Sequence, residues 1–132
     1  MAFILMRRVN AFRDSKYNSE DYIAFKLVKN KHNSIFCNFI FSKHLSSKIL
    51  LSAESRFLIF YDDINPRKIM FKITNEKSNS YKIFKESSSP SSRLKLFFKF
   101  KFPWKDICEK DFISRELNYE ITEDGILIDA SH

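Results

Sequence analysis

Glycine is nearly absent: the 132-residue chain holds one, Gly125, and only three prolines. A glycine-rich phosphate loop needs several residues without a Cβ so that the backbone can wrap a phosphate, so nucleotide binding of that kind is excluded. Cysteine is scarce as well. Cys37 and Cys108 stand far apart in apolar surroundings and form no Cys-x-x-Cys pair. That excludes a zinc-ribbon or disulfide scaffold and predicts free, buried thiols in a reducing compartment, hence a cytoplasmic location. The three histidines, His32, His44 and His132, are not at ligand spacing, so no metal and no other cofactor is expected. Asp62 and Asp63 stand with Asn65 and Pro66, where acidic residues are turn formers rather than a hard-cation site. No apolar run approaches the roughly 20 residues of a membrane span. Residues 2–6 are too short for a signal-peptide core and precede, rather than follow, Arg7 and Arg8. Nucleophilic catalysis needs a hydroxyl or thiol beside a base. Ser42 and His44 are close in sequence, but Ser42 reads as a helix N-cap and His44 as an exposed first-turn residue. No enzyme signature is assembled.

Aromatic residues are abundant instead: 15 Phe, 5 Tyr and 1 Trp. With so little glycine and proline, this composition favours β-structure and a packed core. Residues 22–28 alternate, with Ile23, Phe25 and Leu27 on one face. A polar turn at 29–34 leads into an apolar strand at 35–41. Ser42 then caps a short helix over 43–51, carrying Leu45, Ile49 and Leu50 at helical spacing. Residues 56–61 form a strand apolar on both faces, which must be covered on both sides. After the turn at 62–66, residues 68–73 alternate again, with Ile69, Phe71 and Ile73 on one face. A shorter strand covers 80–84. The order of signals then returns: a strand at 94–102, a helix from Pro103 to about residue 112, a strand at 117–121, a turn ending in Asp124-Gly125, and a closing strand at 126–128. Phe57 and Ile59 align with Tyr119 and Ile121 at a constant offset.

These signals predict a mainly β fold with short helices (α+β). Two strand–short helix–strand–turn–strand units would form a barrel-like or sandwich-like body. Residues 1–84 hold the opening arm, the N-terminal strands and the first unit. Residues 85–92, with five serines and a proline, form a Ser-rich loop. Residues 93–132 hold the second unit, and the whole is one compact domain.

The net charge of +7 is unevenly spread. Residues 106–132 carry eight acids and two bases, whereas residues 1–105 carry a net +13. A basic body with an acidic end suits a protein that meets polyanions, though it also serves solubility. On the strand from Arg93, the residues Lys95, Phe97, Lys99 and Lys101 point opposite to Leu94, Leu96 and Phe98. Such a lysine stripe can track phosphates, or can keep a sheet edge from pairing. Most phenylalanines alternate with polar residues, as core residues do, which leaves few to stack on bases.

Residues 39–45, Phe39-Ile40-Phe41-Ser42-Lys43-His44-Leu45, through residues 56–63 with Asp62-Asp63 at the turn, resemble the AbrB/SpoVT-like swapped-hairpin module. A duplicated arrangement joined by a loose loop is similar to that of small phage-encoded proteins. The sequence departs from the family at Ser52-Ala53-Glu54-Ser55, where the family has a glycine, and at the helix entry, where only Pro103 supplies the usual proline. The resemblance implies a β-barrel that binds duplex DNA, closed within one chain or as a homodimer. It puts the contact on Arg7, Arg8, Arg13, Lys16, Lys29 and Lys31, with Lys95, Lys99 and Lys101 as a second patch. The expected function is therefore a non-enzymatic DNA-binding or regulatory protein. The alternative is a phage-type inhibitor or adaptor that binds a host protein in the host cytoplasm, through the two-sided apolar strand at 57–61 and the acidic end.

Overall fold

Period-two alternation of large apolar residues builds this protein. The computed structural model describes residues 21–89, 92–99 and 107–131. These form strands β1 (Ile23–Lys29), β2 (Ile35–Phe41), β3 (Arg56–Tyr61), β4 (Lys68–Thr74), β5 (Tyr81–Lys85), β6 (Leu94–Lys99), β7 (Arg115–Glu116), β8 (Asn118–Thr122) and β9 (Gly125–Asp129). Helix α1 (Lys43–Lys48) follows β2, and a 3-10 turn (Glu109–Phe112) precedes β7. All pairings are antiparallel, in the order β7-β1-β2-β6-β5-β3-β4-β9-β8. Only Leu117 separates β7 from β8, and its N–H donates to the Ile23 carbonyl at 2.9 Å. The two ends of the strand order are thus adjacent in the chain, and the sheet is a nearly closed barrel. Closure leaves few unpaired strand edges, which are the usual route to aggregation.

The inward residues explain why so little glycine, proline or cystine is needed. Phe25, Phe39, Phe41, Phe57 and Phe71 are all fully buried. Their rings touch one another: Phe39 meets Phe25 at 4.8 Å and Phe71 edge-on at 5.0 Å, and Phe57 meets Phe71 at 5.3 Å. Each such side chain contributes about 1.5–3 kcal/mol of apolar burial. Leu45 from α1 and Leu51 behind it join the same cluster.

The mainly β class and the barrel-like closure agree with the sequence expectation, as do the bounds of β2 and β3. Helix α1 does not. It was expected to reach residue 51 and ends at Lys48. The Leu51 N–H returns to Ser46 O at 2.8 Å and the Leu50 N–H to Ser47 O, closing the helix with a left-handed residue. That residue is Leu50 (φ 56), so its side chain points to solvent, 86% exposed, instead of packing beside Leu45. Ser42 caps α1 as read, accepting from the Leu45 N–H at 3.2 Å, and it also accepts from the Tyr22 N–H at 3.1 Å. His44 is exposed and bonds Asp21, which Lys48 also engages. The Lys48 hydrogen bond holds the Asp21 carboxyl below its usual range, against the opposing effect of partial burial. Cys37 is buried, and burial pushes its thiol up to about 12. Cys108, expected buried, is only partly so, because it lies on the irregular stretch before the 3-10 turn. The strand at 56–61 is covered only in part on its outer side, where Leu58 is partly buried and Phe60 half exposed.

A buried ion pair holds one end of the barrel. Arg67, just before β4, donates to both carboxylate oxygens of Asp111 at 3.1 Å, and to the Ala130 carbonyl at 3.2 Å. Asp111 also accepts from the Cys108 N–H at 3.0 Å, and Arg115 stands 3.7 Å from it. Arg115 in turn donates to the carbonyls of Ala130 and Ser131. Three segments distant in sequence, at residues 67, 108–115 and 130–131, meet at this cluster.

Candidate nucleic-acid interface

Cross-strand partners in a sheet point the same way, so the register defines what each face of the barrel carries. Outward from β1, β2 and β6 run three rows. The first is Ala24–Ile40–Lys95, continued by Phe84 on β5. The second is Lys26–Asn38–Phe97, and the third is Val28–Phe36–Lys99. Their inward neighbours, Phe25, Phe39, Leu96 and Phe98, fill the core. The strand alternation that builds the barrel therefore also sorts the lysines to one outer face.

The geometry of this face is specific. Phe36 and Phe97, diagonal neighbours on β2 and β6, stack with centroids 5.0 Å apart and planes 6° from parallel. The Lys95 Nζ sits over the Phe97 ring, 5.0 Å from its centroid. On β5, the Lys82 Nζ lies 5.8 Å from the Phe84 ring centroid. Lys95 and Lys99 flank Phe97 along β6, each about 6.5–7 Å away by strand geometry. Asn38 is 91% buried by its 9% exposure, and its Oδ1 has no hydrogen-bond partner.

Among the described residues, nearby acids are few. Glu116 on β7 lies across from Ala24 at the margin of the face. Glu86 is engaged by Arg93, which donates to both its carboxylate oxygens at 2.8 and 2.6 Å and to the Tyr22 hydroxyl at 2.6 Å. Arg93 is thus committed to holding the β5–β6 connection. Most of the acidic C-terminal element lies elsewhere: Glu120, Glu123 and Asp124 are exposed on the β8–β9 hairpin. In the strand order β9 is four steps from β6 by way of β5, β3 and β4, and five by way of β7 and β8.

Of the site residues read from sequence, Lys29 ends β1 and Lys31 lies in the β1–β2 turn, both exposed. The pairing of Lys29 with Ile35, beside Phe36 and its partner Lys99, puts them at the same end of the sheet as Lys99. Two patches that are separate in the sequence therefore adjoin in the fold. Arg7, Arg8, Arg13, Lys16 and Lys101 lie outside the described residues. Sequence reasoning missed Lys26, Asn38 and Phe36. The alternation of β1 already opposed Lys26 to Phe25 and Leu27, but the β2–β6 pairing that joins these residues has no local signal.

The chemistry available on this face is that of cations and aromatic rings. Among the described residues there is no group of three His, Cys, Asp or Glu placed to hold a metal ion, and no helix long and apolar enough to cross a membrane. The largest of the surface depressions described, about 310 Å³, lies over β4, β8 and β9 and combines Lys68, Glu120 and Asp129 with Tyr119 and Leu127. No protein-family model, no curated protein and no solved structure matches the chain.

Proposed function

We propose that this chain is a non-enzymatic, DNA-binding regulatory protein that meets its ligand with the basic outer face of β1, β2 and β6. The observation that carries this reading is the convergence of Lys26 from β1 and Lys95 and Lys99 from β6 around a stacked aromatic pair. Neutralising phosphates with lysines releases counterions, so affinity should fall steeply with salt. Binding of duplex and single-stranded probes, followed by fluorescence anisotropy at two salt concentrations, tests this. Binding at low salt that weakens as salt rises supports the reading. No binding of either probe at low salt ends it.

The duplicated swapped-hairpin architecture belongs to the same proposal. In this reading β2, α1, β3 and β4 correspond to β6, the 3-10 turn, β8 and β9, with the two-residue β7 as an addition before β8. Corresponding strands pair with each other, β2 with β6 and β4 with β9. In this reading the two units assemble within one chain what AbrB/SpoVT-like modules assemble between subunits.

A second reading, an adaptor or inhibitor that binds a host protein, is supported by the outward face of β3, β4 and β9. There Phe60, Met70 and Leu127 form one cross-strand row, with Phe60 50% and Leu127 38% exposed. A partner retained on the immobilised chain after nuclease treatment, and lost on Phe60→Ser, would favour it.

A further inference from the structure

The lysines of the basic face would serve any nucleic acid, but the residues between them are selective. The Lys95 ammonium lies over the Phe97 ring, 5.0 Å from its centroid. A lysine head is held over an aromatic ring by only about 0.5–1 kcal/mol at such sites, so it is readily exchanged for another occupant. Phe36 stacks against Phe97, centroids 5.0 Å apart and planes 6° from parallel, and so backs that ring. Between Phe97 and Lys26 in the same row stands Asn38, with a buried amide oxygen that lacks a donor. An unsatisfied buried acceptor costs about 1–3 kcal/mol, a cost that a ligand N–H would remove.

A duplex cannot use these features. Its bases are stacked on each other and show only their edges in the grooves, so their faces are closed to the Phe97 ring. An unpaired base offers a free π-face and a hydrogen-bonding edge with N–H donors. We infer that the outward face of β1, β2 and β6 is a platform for single-stranded nucleic acid. An unpaired base stacks on Phe97, which Phe36 backs, and donates an N–H to Asn38 Oδ1, while Lys26, Lys95 and Lys99 hold the flanking phosphates. The Lys95 ammonium moves from the ring to a phosphate as the base arrives. This rests on the nucleic-acid reading above and fixes the form of ligand that reading leaves open.

The test compares a short oligothymidylate with a hairpin duplex of equal charge, using the full chain at low salt. The single strand is expected to bind at least ten-fold more tightly. Phe97→Leu keeps an apolar side chain of similar bulk but removes the stacking surface, and should weaken single-strand binding about ten-fold, as loss of one base–aromatic stack does. Phe97→Tyr should retain binding, and the circular dichroism of both variants should match the parent. Lys95→Gln should reduce the salt slope by about one unit. Equal or tighter binding of the duplex, or single-strand affinity unchanged in Phe97→Leu, would overturn the platform while leaving DNA binding in place. Failure of both probes to bind would remove the nucleic-acid reading together with it.

Discussion

Asp111→Ala is expected to destabilise the chain by about 3–5 kcal/mol, because removing one partner of a buried ion pair leaves the other uncompensated. The expectation follows from the site. Asp111 is fully buried, receives both arms of the Arg67 fork at 3.1 Å, and faces a second guanidinium, that of Arg115. Without the carboxylate, two cations share the end of the barrel with carbonyl oxygens alone among these contacts. The double substitution Arg67→Met with Asp111→Leu should cost much less than Asp111→Ala, since apolar pairs of similar volume often replace buried ion pairs at little or no cost. Urea unfolding monitored by circular dichroism reads both. Equal destabilisation of the single and double variants would mean that the pair contributes packing, not charge compensation.

Gly125→Ala should cost about 2–6 kcal/mol, combining backbone strain of order 1–3 kcal/mol with crowding of similar size. Gly125 has φ +147, a conformation that L side chains rarely adopt. A Cβ there would also press on the β4 backbone, within 3.1 Å of the Phe71 carbonyl carbon and closer still to its oxygen. Phe71 carries part of the aromatic core, so displacement of β4 propagates to Phe39 and Phe57. A shift in urea midpoint with an unchanged slope is the expected signature. A variant as stable as the parent would show that the β8–β9 turn is not held against β4.

The chain's lack of glycine bears on how much could be read from its sequence. Gly125 marked its turn because a lone glycine after Asp124 has few other uses. At the end of α1 the left-handed position falls on Leu50, so no stop signal was present and the helix was extended to residue 51. Strand faces were legible wherever aromatics alternate, as in β1, β4 and β6, because burial on one side imposes period two. Phe25, Phe71 and Phe98 are core for that reason.

What joins strands across the barrel was not legible. Arg67 and Asp111 are 44 residues apart, and neither has a neighbour that points to the other. The two-residue strand β7 is too short for any periodic pattern, yet its pairing with β1 brings the ends of the sheet together. Phe36 and Phe97 each looked like one more alternating aromatic. Only the β2–β6 register turns them into a stacked pair on the lysine face. The sequence likewise divided the hairpin lysines, Lys29 and Lys31, from Lys95 and Lys99, which the same register brings to adjoining positions.

The most direct test of the account is a titration of the ¹⁵N-labelled chain with a short oligothymidylate, followed by amide chemical shifts. Shifts should concentrate at Lys26, Phe36, Asn38, Phe97 and Lys99, with the outward row of Phe60, Met70 and Leu127 undisturbed. Shifts confined to that second row, or spread evenly over the barrel, would contradict it.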